Sequence, residues 1–247
     1  MGASYDARGR VALVTGANKG IGFATAVGLG HMGVTVLVGS RAEHRGEEAV
    51  SRLQGDGIDA RVLLLDVTDD ASVSSAARQV EEGFGRLDIL VNNAAVKLEV
   101  APSPPSECSL DMVRETFETN VFGSIRMLLA MVPLLRGSDA PRIVNVSSGL
   151  GSLTLATTDG TKNMQRPLLS YNPSKAALNS VTVQFANELR GTPFKVNAAD
   201  PGYTNTDMTG SGDRRPDEGA AIVIHLATLP TDGPTGKFFD DHGELPW

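Results

Sequence analysis

The sequence predicts an α/β protein, a doubly wound parallel sheet of about seven strands flanked by helices, in a single domain over residues 1–247. Three observations carry this. Short β-branched runs alternate with longer amphipathic stretches along the whole chain. Most of those runs are apolar on both faces, as strands covered by helices on two sides must be. No linker or internal repeat interrupts the 247 residues, a length sufficient for one large core.

Taken in order, the strands are "VALVT" (11–15), "VTVLVG" (34–39), "ARVLLLD" (60–66), "LDILVN" (87–92), "RIVNVS" (142–147), "FKVNAA" (194–199) and "GKFFD" (236–240). Helical periodicity fills the gaps near 20–32, 42–54, 69–84, 109–135, 170–190 and 217–228. Two stretches break the rhythm. "KLEVAPSPPSE" (97–107) is rich in proline and serine and reads as a loop. The segment 149–169 is long and lacks a clear period. Both follow a strand, so both emerge at the carboxyl edge of the sheet, where open α/β proteins bind ligands.

Composition narrows the function classes. The net charge of -7 and the absence of a basic run argue against nucleic acid as a partner. The lone cysteine, Cys108, forbids an intrachain disulfide and fits a reducing, cytoplasmic setting. The first ten residues lack the apolar stretch of a signal peptide, and no window is apolar enough for a membrane span, so no membrane partner is expected. His31, His44, His225 and His242 share no ligand spacing, and no metal site is expected.

The first strand runs into "TGANKGIG" (15–22), which opens the first helix. A helix N-terminus carries free N–H groups and the positive end of a dipole, and so attracts phosphate. Gly16 can turn without a Cβ penalty, Gly20 lets the backbone approach a pyrophosphate, and Gly22 allows close helix–strand packing. By itself the motif fits a dinucleotide loop or a structural turn equally well, and without a GK[ST] ending it is no nucleotide-triphosphate loop. The second strand ends in "VGSR" and has Ser40 and Arg41 where an NAD site places an acid for the ribose hydroxyls. With Lys19, these residues suit a ribose 2′-phosphate, because the Arg fork matches phosphate geometry.

"SYNPSKAALNS" places Tyr171 and Lys175 four apart, on one helix face. Tyrosine is a poor acid or base near neutrality, and a neighbouring ammonium stabilises its phenolate. The pair can then exchange a proton with a carbonyl or alcohol oxygen. "RIVNVSSG" puts Ser147 and Ser148 at the same edge of the sheet, where a hydroxyl can hydrogen-bond a reacting oxygen. No G-x-S-x-G elbow is present, which disfavours hydrolysis.

Read together, "TGANKGIG", "LDV" (65–67), "NNAA" (92–95), "ETNVFG" (118–123), "NVSSG", "YNPSK" and "DPGYTNTDM" (200–208) resemble the short-chain dehydrogenase/reductase family over nearly the whole chain. Lys19, the "SR" after strand two and the ending "GPTGKFFDDHGELPW" are similar to its NADPH-dependent carbonyl reductases. The resemblance implies a Rossmann-type fold, NADP(H) as cofactor, and reduction of a ketone or aldehyde by hydride transfer. It implies Tyr171 as acid, Lys175 as its modulator and a nicotinamide-ribose ligand, and Ser148, ahead of Ser147, as the group that orients the substrate oxygen. Asn120 would kink its helix and hold a relay water. Around the cofactor it implies Gly16, Asn18, Lys19, Gly20, Ile21 and Gly22 at the loop, with Ser40 and Arg41 at the second strand. Asp66 and Val67 would meet the adenine, Asn92 and Ala94 the ribose side, and Pro201, Gly202, Thr204 and Thr206 the nicotinamide end.

The chain departs from the family pattern twice. Ala95 stands where the family usually has glycine, which would shift the backbone near the cofactor slightly. Ser148 and Tyr171 are 23 apart, a longer spacing than in many members, so that 149–169 either walls the pocket or is a tolerated surface loop. Monomer and homo-oligomer both stay open. The segments 96–106, 149–169 and 203–215 are expected to line the pocket with Val96, Leu98, Val100, Leu150, Leu153, Leu155, Met164 and Met208, which suits a small or medium hydrophobic carbonyl. Lys162 and Arg166 read as solvated surface. Beside the reductase stand an alcohol or sugar dehydrogenase running oxidatively and a catalytically silent NADP(H)-binding regulator.

Overall fold

The computed structural model describes residues 6–161 and 163–247. The strands are β1 (Val11–Thr15), β2 (Thr35–Ser40), β3 (Ala60–Leu64), β4 (Ile89–Asn92), β5 (Arg142–Val146), β6 (Lys195–Ala199), β7 (Phe238–Asp240) and β8 (Gly243–Glu244). They form one sheet in the order β3-β2-β1-β4-β5-β6-β7-β8. All pairs are parallel except the last, where β8 folds back on β7. That two-residue strand takes the count to eight, one more than the hydrophobic runs suggest; it is too short and exposed to show as an apolar run.

Alternate strand residues feed two cores, which is why the strands are mostly apolar on both faces. Ala12, Val14, Val36, Val38, Val91 and Val144 pack beneath α1 (Gly20–His31), α2 (Glu43–Gly55) and α8 (Pro216–Ala227). Leu13, Leu37, Leu90, Ile143 and Val196 pack on the other face, beneath α3 (Asp70–Phe84), α5 (Ser124–Leu135) and α7 (Tyr171–Glu188). Met127 and Met131 are fully buried in this second core. Asp69 caps α3 by accepting from Ala71 N at 2.9 Å, and Gly85 ends it in left-handed backbone at φ +71°.

The helix expected over 109–135 is interrupted. α4 (Leu110–Phe117) and α5 are separated by a wider, π-type turn at Glu118–Gly123. The break is a single turn inside an otherwise helical stretch, too local to show in an apolar pattern read over the whole segment. The segment 149–169 is also not featureless: it holds a short 3-10 turn at Gly149–Gly151 and α6 (Leu153–Thr157), with Ser152 capping α6 by accepting from Leu155 N.

Candidate active site

The carboxyl edge gathers the loops after β1, β4, β5 and β6. Thr15 ties the first two together: its Oγ1 accepts from Asn93 N and Ala94 N, both at 2.9 Å. Asn93 Nδ2 in turn donates to Thr15 O at 2.8 Å and Gly16 O at 3.3 Å. Gly16 and Gly20 have φ of +63° and +58°, which only glycine adopts without strain. Gly22 has ordinary backbone, but a Cβ there would sit 2.5 Å from Asn93 Nδ2 and 2.7 Å from Gly16 O. Ile21 packs against the first core, and Ala94 against the second. Ala95 takes no positive φ, so its methyl sits in ordinary backbone.

Around the loop lies a cleft lined by Asn18, Lys19, Arg45, Glu48, Ala49, Arg52 and Asp207. Lys19 Nζ is 2.6 Å from Asp207 Oδ2, so the loop after β6 reaches across to the glycine turn. Thr206 Cγ2 stands 3.4 Å from where a Gly20 Cβ would be, which puts Thr206 directly over that turn. Arg45 is a cation that the sequence reading did not single out. Its signal was available: Arg45 lies in the first turn of α2, directly after the "SR" that ends the second strand. Ser40, by contrast, is buried, and its hydroxyl donates to Ala42 O at 2.9 Å, away from this cleft. Glycines that leave the backbone open, beside this group of cations, fit a phosphorylated dinucleotide.

The remaining loop residues divide similarly. Asp66 accepts from Thr68 N at 2.9 Å and Thr68 Oγ1 at 2.7 Å. Burial pushes its carboxyl up, but these two bonds and the Arg41 charge outweigh it and hold the group below the usual range. Val67 is buried against Gly123. Asn92 is also buried; its Nδ2 donates to Asn145 Oδ1 at 2.8 Å on the neighbouring strand, and its Oδ1 is buried without a hydrogen-bond partner among the described residues. Pro201 is buried, and Gly202, at φ +71°, donates its amide to Asp200 Oδ1 at 3.0 Å. Thr204 is buried too and turns inward, donating to Pro201 O at 3.1 Å.

Tyr171 opens α7 and is 9% exposed; Lys175, one turn on, is 2% exposed. Lys175 Nζ lies 5.6 Å from the phenol ring centroid and donates to Val146 O at 2.9 Å. The two serines separate here. Ser147 is buried and donates to Asn179 Oδ1 at 2.6 Å. Ser148 is partly exposed, and its hydroxyl is near enough to the Tyr171 phenol to favour the ionised form. Gly151 lets the turn after β5 pack closely on α7, since a Cβ there would meet the Lys175 carbonyl carbon at 2.7 Å.

The expected lowering of the phenol is not what the site produces. Burial pushes Tyr171 well above its ordinary value, and the Asp200 charge pushes the same way. Burial also lowers Lys175 to about 8, against an upward pull from Asp200. Asp200 itself keeps some exposed surface, yet burial raises its carboxyl, against the amides of Gly202 and Gly149. Nothing in "DPGY" marks Asp200 as a neighbour of the Tyr–Lys pair; only the adjacency of β5, β6 and α7 brings them together.

Asn120 is 1% exposed at the π turn. Its Oδ1 accepts from Val96 N at 2.8 Å, and its Nδ2 donates to Val96 O at 2.9 Å and Ser174 Oγ at 3.0 Å. Its side chain therefore pins the loop after β4, and its main-chain carbonyl, which also accepts from Ser124 Oγ at 3.0 Å, is what remains to hold a water.

The proposed pocket wall is partly realised. Val96, Leu98, Leu150 and Leu155 are half-buried, whereas Val100 and Leu153 are 96% and 68% exposed and face solvent. Arg166 is exposed, as expected, but its guanidinium lies over the Tyr203 ring at 4.9 Å, linking two of the wall segments. Lys162 lies outside the described residues. No cluster of His, Cys, Asp and Glu suited to a metal occurs among the described residues, and no helix there is long and apolar enough to cross a membrane.

Comparison with known proteins places these features. Residues 10–217 match the family model described as short chain dehydrogenase. The chain is 33% identical to (+)-neomenthol dehydrogenase of Capsicum annuum, covering 93% of this chain and 95% of that protein. It is 31% identical to carbonyl reductase [NADPH] 1 of Mus musculus, covering 96% and 98%. The structure of salutaridine reductase from Papaver somniferum superposes with a TM-score of 0.81 at 32% identity, over 94% of this chain and 99% of that one.

Proposed function

The chain belongs to the short-chain dehydrogenase family, and on that premise we propose that it reduces a hydrophobic ketone or aldehyde to an alcohol with NADPH. One observation carries the proposal: Tyr171, Lys175 and Ser148 come together at the same carboxyl edge of the sheet as a glycine turn flanked by cations. Gly16, Gly20 and Gly22 give a pyrophosphate room, and Lys19, Arg41 and Arg45 suit a ribose 2′-phosphate. When bound, NADPH supplies the hydride.

The residues of the chain handle the oxygen. Ser148 orients the carbonyl, and Tyr171 donates the proton that converts the alkoxide to the alcohol. A raised phenol is protonated at neutral pH, as an acid in the reductive direction must be. Lys175, charged below about pH 8, stabilises the phenolate left behind and holds the nicotinamide ribose. Asn120 keeps the relay water at its main-chain carbonyl. The apolar side chains Val96, Leu98, Leu150 and Leu155 favour a substrate without a carboxylate, and the lone Cys108 supports a cytoplasmic setting.

The test is oxidation of NADPH, followed by its absorbance, against a panel of aromatic and aliphatic ketones and aldehydes, with NADH and the Tyr171→Phe variant in parallel. Turnover with NADPH that is lost in Tyr171→Phe supports the reading. Tight NADPH binding with no turnover across the panel favours the silent regulator, and better turnover of alcohols or sugars with NADP+ favours the dehydrogenase.

A further inference from the structure

Helix α7 begins without a cap of its own. The residue before it, Ser170, has helical backbone (φ -80°, ψ -42°), and its side chain caps no amide. The first N–H groups of a helix have no acceptor within the helix and need one elsewhere. Here an acid distant in sequence supplies it. Glu99, in the loop after β4, accepts from Ser170 N at 3.0 Å through Oε1, and from Ser170 Oγ at 2.6 Å and Tyr171 N at 3.1 Å through Oε2. Glu99 is 6% exposed, and Ser170 is fully buried. Lys97 does not pair with this carboxylate; its ammonium donates to the Glu99 main-chain carbonyl at 2.7 Å. Cys108 Sγ approaches Oε1 at 3.9 Å.

The same short loop is held at its other end by the two bonds from Asn120 to Val96. Residues 96–99 are thus strapped between the π turn and the start of α7. Tyr171 is the first residue of that helix, the position where helices fray. A carboxylate at the positive pole of the helix opposes fraying electrostatically as well as by hydrogen bonding. Ordinary N-caps come from the residue just before the helix, so this one cannot be read from the sequence around Tyr171.

We propose that Glu99 is a positioning residue for the reduction: it caps α7 from the loop after β4 and so fixes the Tyr171 phenol relative to the pocket wall. This rests on the reading of Tyr171 as the acid. Glu99→Ala leaves the amides of Ser170 and Tyr171 buried without acceptors. Glu99→Gln has nearly the same shape and keeps one accepting oxygen, but turns an NH2 group toward a donor. Ser170→Ala removes only the hydroxyl and leaves both amide bonds.

The experiment compares these three variants and Tyr171→Phe with the unaltered protein, using the best-reduced ketone of the panel. It measures kcat, KM, NADPH affinity by nicotinamide fluorescence, and the thermal midpoint. A displaced acid loses turnover by about tenfold to a hundredfold, so kcat falls on that scale in Glu99→Ala and less in Glu99→Gln. KM, NADPH affinity and the midpoint of Glu99→Gln stay near those of the unaltered protein, and Ser170→Ala retains most activity. Unchanged kcat in a folded Glu99→Gln overturns the proposal. So does a parallel fall of kcat, NADPH affinity and midpoint, the mark of a merely structural role. Full activity in Tyr171→Phe removes the premise itself, which separates failure of that reading from failure of this one.

Discussion

Replacing Gly22 by alanine tests whether the glycine turn is shaped by packing or only by flexibility. Gly22 does not need left-handed backbone, so the substitution carries no torsional penalty. The whole effect comes from one methyl. Its Cβ would stand 2.5 Å from Asn93 Nδ2, 2.7 Å from Gly16 O and 3.0 Å from Ala17 Cα. The Asn93 amide can swing away, but Gly16 O and Ala17 Cα are backbone and cannot move without shifting β1 or α1. Overpacking of this kind costs about 1–3 kcal/mol. Displacing Asn93 also removes its bonds to Thr15 O and Gly16 O, and an acceptor left buried and unpaired costs about 1–3 kcal/mol more. The two partly overlap, so we expect a loss of about 2–4 kcal/mol, or roughly 5–15 °C in thermal midpoint for a chain of this size. The assay is thermal unfolding without cofactor, followed by an NADPH titration, which should also weaken. Gly83→Ala, where a Cβ meets nothing within 4 Å, is the control and is expected to be neutral or slightly stabilised. A Gly22→Ala protein that melts with the unaltered one and binds NADPH equally well would refute the packing argument.

The other predictions address the cofactor and the proton. Lys19→Ala and Arg45→Ala should each weaken NADPH by about tenfold to a hundredfold, with little change for NADH, in competition binding, because a charged hydrogen bond to phosphate is worth about 1.5–3 kcal/mol. Asp207→Asn frees Lys19 from its partner and should tighten NADPH modestly in the same assay. Reduction should decline as pH rises through about 8, where Lys175 loses its charge, since burial has lowered its ordinary value. Asp200 raises both Lys175 and Tyr171, so Asp200→Asn should move that decline to lower pH in a kcat–pH profile; a move to higher pH would contradict the assignment. Ser148→Ala should lower kcat far more than Ser147→Ala, whose cost should appear in the thermal midpoint through the lost bond to Asn179.

Much of this molecule follows from short-range rules. The β-branched runs mark seven of the eight strands because the central strands are covered on both faces, which leaves little polar alternation to confuse the pattern. Gly16 and Gly20 in the first turn, and Tyr171 and Lys175 at one helical turn's spacing, are legible for the same reason: each depends on neighbours in sequence. The arrangement around them does not. The π turn at Asn120 arises where a buried amide bonds a loop that lies 24 residues earlier. Ser147 and Ser148 are adjacent hydroxyls that only the family pattern ranks, and it is Asn179 on α7, distant in sequence, that engages the first of them. Ser40 and Asn92 carry suitable groups whose side chains are engaged elsewhere, by Ala42 and by Asn145. Glu99 and Asp200 act on Tyr171 from loops that parallel crossovers bring to one edge of the sheet. Local sequence determines which backbone conformations and side-chain chemistries are available. Burial and long-range hydrogen bonding, which exist only once the sheet is assembled, determine where each side chain points and which way its proton equilibrium shifts.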